Sequence, residues 1–153
     1  MVHQRFAQKA MHPFLHKTVY TLVLLNTQLA RDLILANAKN VYGRPLQLCC
    51  GNAGFTREGF CYVPSADVGN HSVCAVVTDE FLQFSLRQGN DLITPWPSME
   101  FSGLLAGDRW CLCAARWLQA YEAGVAPTVR LEATHEKALD VIPLAILEEY
   151  AAT

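Results

Sequence analysis

The sequence lacks the short motifs that mark the common nucleophile and cofactor sites. It has no Gly-x-Ser-x-Gly elbow, no phosphate-binding P-loop and no glycine-rich dinucleotide fingerprint. No two cysteines have the two to four intervening residues that nucleate a zinc knuckle. We therefore predict no cofactor, and a bound metal is possible but not favoured.

Charged residues are also scarce. They make up 17% of the chain against 52% hydrophobic residues, which is typical of a folded chain and excludes a disordered one. Residues 40–153 carry thirteen acidic and seven basic side chains, a net charge of −6. Because phosphate binding needs a face rich in lysine and arginine, this balance argues against nucleic acid as a partner.

The first 39 residues differ in charge from the rest. They hold five basic side chains and a single acid, Asp32, for a net charge of +4. The apolar run Val19–Leu25 is too short to span a bilayer. Arg31 and Asp32 stand between this run and the small-residue stretch Ala36–Ala38, which disfavours a secretory signal. We expect a cytoplasmic protein without a membrane span.

We assign residues 1–39 to an N-terminal extension, either helical or processed, and residues 40–153 to a single globular domain. Apolar residues at spacings of three and four, among them Leu22, Leu25, Leu29 and Leu33, predict a helix over residues 14–38. The six cysteines are too few for a disulfide scaffold, and we expect thiols in a reducing cytosol. An even number permits bridges, but the sequence selects no pairing.

The domain has the pattern of an α+β fold, with few strands, a long central helix and extensive loops. Val73–Val77 is a β-branched run that predicts a buried strand. Thr78 then caps a helix that ends at Gly89. Further elements are predicted along the rest of the domain: a long connection over Asn90–Ala106, a helix over Arg109–Ala123 capped by Asp108, a half-buried strand over Thr128–Thr134, and two short helices, one after His135 and one with Pro143 at its first position.

Cys111 is the first candidate for catalysis. With Asp108 as the cap, Cys111 occupies the third helical position, where free N–H groups favour a thiolate. Its commoner role is that of a small buried hydrophobe. Cys113 points to another side of the same predicted helix, so this Cys-x-Cys is a poor chelate and a poor disulfide.

Asp67, His71 and His135 form the acid–base candidates. Both histidines lie at predicted strand ends, where either could act as a general base or tie two loops together. The candidate ligand-binding residues are polar side chains around the predicted central helix and the connection before it, with Arg116 as a clamp for an anion: Asn90, Asp91, Asp108, Arg109 and Arg116.

Several long motifs, in order, resemble the bacterial family catalogued as domain of unknown function 2237. They include His71–Ala75, Thr78–Leu82, Gly89–Leu92, Gly107–Trp117, Ala123–Pro127 and Ala133–Glu136. The resemblance runs over about residues 40–151 and implies family cysteines at positions 49, 61, 74, 111 and 113. It implies no activity.

Two functions remain open from the sequence. The favoured one is a small non-catalytic ligand-binding or interaction module with a polar centre of cysteine, histidine and aspartate, which binds a small polar ligand. The alternative is an enzyme that uses a thiol nucleophile, or acid–base chemistry by histidine and aspartate, on a small polar metabolite.

Overall fold

The structure, a computed structural model, describes residues 13–152 and leaves the side chains of residues 13–20, 22 and 23 undescribed. The chain divides between Leu35 and Ala36 into two units. Helix α1, Pro13–Asn37, confirms the predicted helix. Arg5, Lys9 and the side chains of Lys17 and Leu22 lie outside the described residues, so the processing of residues 1–39 stays a prediction. No helix within residues 13–152 has the length and hydropathy to cross a bilayer.

The second unit is built on a three-stranded antiparallel sheet in the order β2-β1-β3. Strand β1, Val73–Val76, lies in the centre, which confirms the strand predicted from its β-branched residues. Strand β2, Arg109–Leu112, pairs with β1 so that Cys74 faces Cys111, and β3, Thr128–Val129, pairs through Ala75 and Val76. The α+β expectation is confirmed.

The helix predicted over Arg109–Ala123 is wrong in its first part. Residues Arg109–Leu112 form β2, and helix α3 spans Ala114–Glu122 with Cys113 as its cap. Trp110 has the spacing of the helix stripe, but pairing with β1 overrides that local pattern because it buries this segment in the sheet. Asp108 caps no helix, since its Oδ2 accepts a hydrogen bond from the Leu105 N–H at 2.8 Å.

Helix α2, Asp79–Arg87, begins and ends as predicted. The Thr78 hydroxyl accepts a hydrogen bond from the Phe81 N–H at 3.1 Å, and Gly89 follows the helix with φ +77°. Helices α2 and α3 contribute Phe81 and Trp117 to the main core, where both are fully buried. Trp117 Nε1 donates to the Pro127 carbonyl at 3.0 Å, which fixes the chain after α3.

The strand predicted over Thr128–Thr134 is correct only at its start. After β3 the chain turns into a 3₁₀ helix, Leu131–Ala133, because the Thr134 hydroxyl donates back to the Arg130 carbonyl at 2.9 Å. A second 3₁₀ helix spans Glu136–Asp140. Helix α4, Leu144–Glu149, follows Pro143, which is its cap residue and not its first residue. The long connection over residues 90–106 holds a single 3₁₀ turn, Pro97–Met99, among these described residues.

Candidate functional site

A buried aspartate, a histidine and a thiol meet where β1 begins and α3 begins. Asp67 and His71 lie on the turn that leads into β1, and Cys113 lies between β2 and α3. Because β1 and β2 are antiparallel neighbours, with Val73 opposite Leu112, the start of one strand lies beside the end of the other. The sheet register therefore brings His71 and Cys113 together.

Asp67 holds the His71 ring in one orientation. Its Oδ1 lies 2.7 Å from His71 Nδ1, and its Oδ2 accepts a hydrogen bond from the His71 backbone N–H at 2.9 Å. The side chain of Asp67 has no exposed surface, whereas that of His71 is 35% exposed. A buried carboxylate that uses both oxygens on one histidine fixes both the ring and the backbone that carries it. It leaves Nε2 as the nitrogen free for a further partner.

The His71 ring and Cys113 Sγ both lie beside Gly69. Interaction with the Cys113 side chain raises the pKa of His71 to about 9; burial opposes the rise, and the hydrogen bond to Asp67 adds to it. The imidazolium is therefore the main form at neutral pH, hydrogen-bonded to the Asp67 carboxylate and close to the Cys113 side chain. In enzymes that use a cysteine nucleophile, an adjacent histidine is the group that activates the thiol.

The start of α3 adds to this environment. Cys113 is its cap residue and is partly exposed, and it forms no disulfide. The Ala114 N–H donates to the Asn70 carbonyl at 2.9 Å, and this bond fixes the helix start against the turn that carries His71. The remaining N–H groups of a first helical turn have no partner within the helix and favour a negative charge nearby.

Gly69 leaves the space in which the histidine and the thiol meet. A Cβ atom at this position would lie 2.7 Å from His71 Cε1 and 3.4 Å from Cys113 Sγ. The φ angle of Gly69 lies outside the left-handed region, so the backbone would accept a side chain and only the ring contact excludes one. The role of Gly69 is thus steric.

A cavity of about 290 Å³ opens beside His71. Its size is close to the lower end of the range for pockets that bind small molecules. The walls come from the segment before Cys61, from the long connection and from β2: Gly54, Phe55, Arg57, His71, Met99, Trp110 and Cys111.

Four buried cysteines form two disulfides behind this cavity. Cys49 is bonded to Cys74 and Cys61 to Cys111. The expectation that all six cysteines are thiols is wrong for these four, because the register of β1 and β2 places Cys74 and Cys111 where two loop cysteines reach them. The Sγ atoms of Cys49, Cys61 and Cys111 lie within 4.8 Å of one another, but as bridges they offer no thiolate to a metal.

The premise for Cys111 as the nucleophile is therefore wrong. It is 1% exposed, it lies in a strand and not in the first turn of a helix, and its sulfur is bonded to Cys61. The predicted helix placed Cys113 on a different side from Cys111. In the structure, Cys113 is the free thiol that lies beside a histidine, His71. The sequence indicates this position for Cys113 only if Arg109–Leu112 is paired with Val73–Val76 as a strand.

His135 has a structural environment apart from His71. Its ring packs edge-on against Tyr62 at 5.4 Å, and its Nδ1 accepts a hydrogen bond from the Lys137 N–H at 3.3 Å. Burial lowers its pKa, so the ring is neutral at pH 7. His135 is thus the cap residue of the 3₁₀ helix Glu136–Asp140.

The predicted ligand-binding residues lie in two other places. Asp91 accepts hydrogen bonds from the N–H groups of Ile93 and Thr94 in a turn, and the Asn90 carbonyl accepts one from the Ser85 hydroxyl. Arg116 donates to the Gln88 carbonyl and to Gln119 and so ties α3 to the end of α2.

Asp108 and Arg109 line a different cavity, of about 400 Å³, together with the free thiol Cys50. Within residues 13–152, none of the five predicted ligand-binding side chains is hydrogen-bonded to the side chains of Asp67, His71 or Cys113.

The sequence profile of a family described as uncharacterized protein conserved in bacteria, domain of unknown function 2237, matches residues 39–151. The chain belongs to this family, as the motifs predicted. A search of curated proteins gives no match to the chain.

Proposed function

We propose that this member of the family is an enzyme that uses Cys113 as a nucleophile toward the acyl carbon of a small substrate. The observation that carries the proposal is the arrangement of the buried Asp67, which is hydrogen-bonded to the His71 ring, with Cys113 Sγ beside that ring at Gly69. A nucleophile in contact with a base that a third group orients is the general signature of covalent catalysis.

The reaction would proceed in two balanced steps. The Cys113 thiolate attacks the acyl carbon, an S–C bond forms, and the bond to the leaving group breaks while the His71 imidazolium gives that group its proton. Water then attacks the thioester as His71 takes a proton from it, which releases the acid and restores the thiolate. Asp67 keeps the ring in position and stabilises its cationic form, as the third member of such triads does.

The start of α3 would stabilise the negative charge that develops on the acyl oxygen. The Ala114 N–H is used by Asn70, so the N–H groups of Ala115 and Arg116 are the donors that a first helical turn leaves open. Donors of this kind, aimed at a developing oxyanion, are commonly worth two to three orders of magnitude in rate.

The competing interpretation, a non-catalytic module, gives the same residues only a packing role. It accounts for His135, Asp91 and Arg116, whose partners lie within the fold. It gives no reason for a partly exposed free thiol next to a histidine–carboxylate pair whose histidine lines a cavity. The enzyme is therefore the proposal that these contacts favour.

Hydrolysis of p-nitrophenyl acetate separates the two. We expect release of nitrophenolate above the uncatalysed rate, with an acetylated chain detectable by mass spectrometry at Cys113. Cys113→Ala should abolish both signals, and Cys50→Ala, which removes the other free thiol, should keep them. If the parent chain forms no acyl adduct and releases nitrophenolate no faster than the Cys113→Ala variant, the proposal is wrong.

A further inference from the structure

The cavity beside His71 differs in charge from two other cavities in the described part of the chain. Arg57 and the His71 ring supply positive charge to its walls, and its seven lining residues include no carboxylate. The cavity beside Cys50 has Glu100 and Asp108 in its walls together with Arg109, and the third has Asp67 and Asp140 together with Lys137. In a domain whose residues 40–153 have a net charge of −6, a cavity whose charged wall residues are Arg57 and His71 favours an anion.

Arg57 is held so that its donors remain available. Its Cζ lies over the Trp110 ring, 5.2 Å from the centroid, and Phe101 contacts the same indole with a centroid distance of 5.4 Å. A guanidinium that stacks by its face keeps its N–H groups in the plane for a bidentate partner. Within residues 13–152 no carboxylate forms an ion pair with Arg57.

The backbone of Arg57 is also unusual. Its φ is +60°, a left-handed conformation that is uncommon for a residue with a long side chain, and its N–H donates to the Gly54 carbonyl at 3.1 Å. A Cβ at Gly54 would lie 2.0 Å from the Phe60 carbonyl oxygen, so the tight turn needs glycine there. Such conformations persist where the surroundings hold them, and they are frequent at ligand sites.

The rest of the wall is apolar. Phe55 lies 6.3 Å from the His71 ring, centroid to centroid, and Met99 and Trp110 complete the lining. Phe55 is 46% exposed at the rim, a large apolar surface for a ligand to cover.

We infer that the substrate is a small organic carboxylate, with its carboxylate on Arg57, its apolar body against Phe55 and Trp110, and its electrophilic carbon beside His71, the cavity residue that neighbours Cys113. This inference rests on the proposed function, because it takes Cys113 as the reacting atom. It adds the chemical class of the substrate and the residue that selects it.

Alkylation by two reagents of nearly equal size tests the inference. In each reaction the thiolate forms an S–C bond to the CH₂ group and iodide leaves with the electron pair. Iodoacetate carries a carboxylate, whereas iodoacetamide is neutral. The measured quantity is the rate constant for iodoacetate divided by that for iodoacetamide at Cys113, determined by peptide mass spectrometry at pH 7. We expect this ratio to fall about tenfold in Arg57→Gln, because one charged hydrogen bond to the carboxylate is lost.

Two further variants serve as controls. Arg87→Gln removes an exposed arginine at the end of α2 and should leave the ratio unchanged, and Arg57→Lys, which keeps the charge, should keep part of the preference. An equal ratio in the parent and in Arg57→Gln would overturn the carboxylate inference and leave the nucleophile standing. If Cys50 is labelled while Cys113 reacts with neither reagent, the proposed function fails and the substrate class fails with it.

Discussion

Cys74 and Cys111 are direct partners in the antiparallel register of β1 and β2, yet each is bonded to a different cysteine outside the sheet. Cys74 is bonded to Cys49, and Cys111 to Cys61. The segment between Cys49 and Cys61, which carries Phe55 and Arg57, is therefore attached by one end to β1 and by the other end to β2. This attachment gives the wall of the cavity a fixed place on the sheet.

Removal of the Cys61–Cys111 bridge should destabilise the domain strongly. The bridge closes a loop of 50 residues, for which restriction of the unfolded chain corresponds to about 4 kcal/mol. We expect the double variant Cys61→Ala, Cys111→Ala to show a loss of that order in the free energy of unfolding, measured by urea denaturation. Cys50→Ala, at a free thiol, is the matched control, and an equal loss in the two proteins would contradict the prediction.

Stability should depend on pH through His71. Its pKa is about 9 in the folded protein and about 6.5 in an unfolded chain, so folding favours the protonated ring. The stabilisation is fully present below about pH 6.5 and is lost as the pH rises through 9. We expect the difference in Tm between the parent and His71→Asn to be largest at pH 6 and to shrink toward pH 9.5. A difference that grows with pH would show that the assigned charge is wrong.

Asp67→Asn should lower the pKa of His71. The amide keeps the size of the side chain but removes the charge that stabilises the imidazolium, and it leaves a buried group with altered partners. NMR titration of the ring protons measures the pKa, and labelling of Cys113 should slow in parallel. Asp140→Asn, which alters an exposed pair with Lys137, provides the comparison and should leave the His71 titration unchanged.

Gly69→Ala should disturb the site with little effect on the fold. The new methyl would lie 2.7 Å from His71 Cε1, so the ring must move away from Cys113. We expect the rate of Cys113 alkylation at pH 6, where an ordinary thiol with a pKa of about 8.5 is almost fully protonated, to fall by at least about tenfold. Gly51→Ala, which adds a methyl where nothing lies within 4 Å, should retain the parent rate. Equal rates of Cys113 alkylation in the two variants would show that Gly69 has no role in the site.

The sequence was sufficient for elements that local chemistry decides. Thr78, the acids after it and Gly89 mark the two ends of α2, and the β-branched residues of β1 mark a buried strand. It was insufficient for β2, because the spacing of Trp110, Ala114 and Trp117 suits a helix and only pairing with a distant segment makes Arg109–Leu112 a strand. The same distant pairing decided the disulfides.

The site was predicted in part for the same reason. Asp67 and His71 stand four residues apart on one turn, and that local arrangement was enough to name both as candidates. Cys113 is not predicted as a site residue, because its neighbour His71 is brought to it only by the pairing of β1 and β2 and because the predicted helix begins at Arg109 and not at Ala114. The sequence around Arg57 has no motif that marks a binding residue, since its position over Trp110 depends on the fold. The N-terminal boundary and the cytoplasmic location stay predictions, although disulfides are more usual in oxidising compartments.

In the proposed enzyme, the double attachment of the segment between Cys49 and Cys61 would separate substrate recognition from chemistry. Asp67, His71 and Cys113 lie on the turn before β1 and at the start of α3, whereas Phe55 and Arg57 lie between two covalent anchors. Outside the tight turn that needs Gly54, the segment between those anchors can be lengthened at a modest entropic cost, since each doubling of a loop costs only about 0.6 kcal/mol. On the proposed function, grafting of different segments between the two bridges would alter substrate preference and leave Cys113 in place.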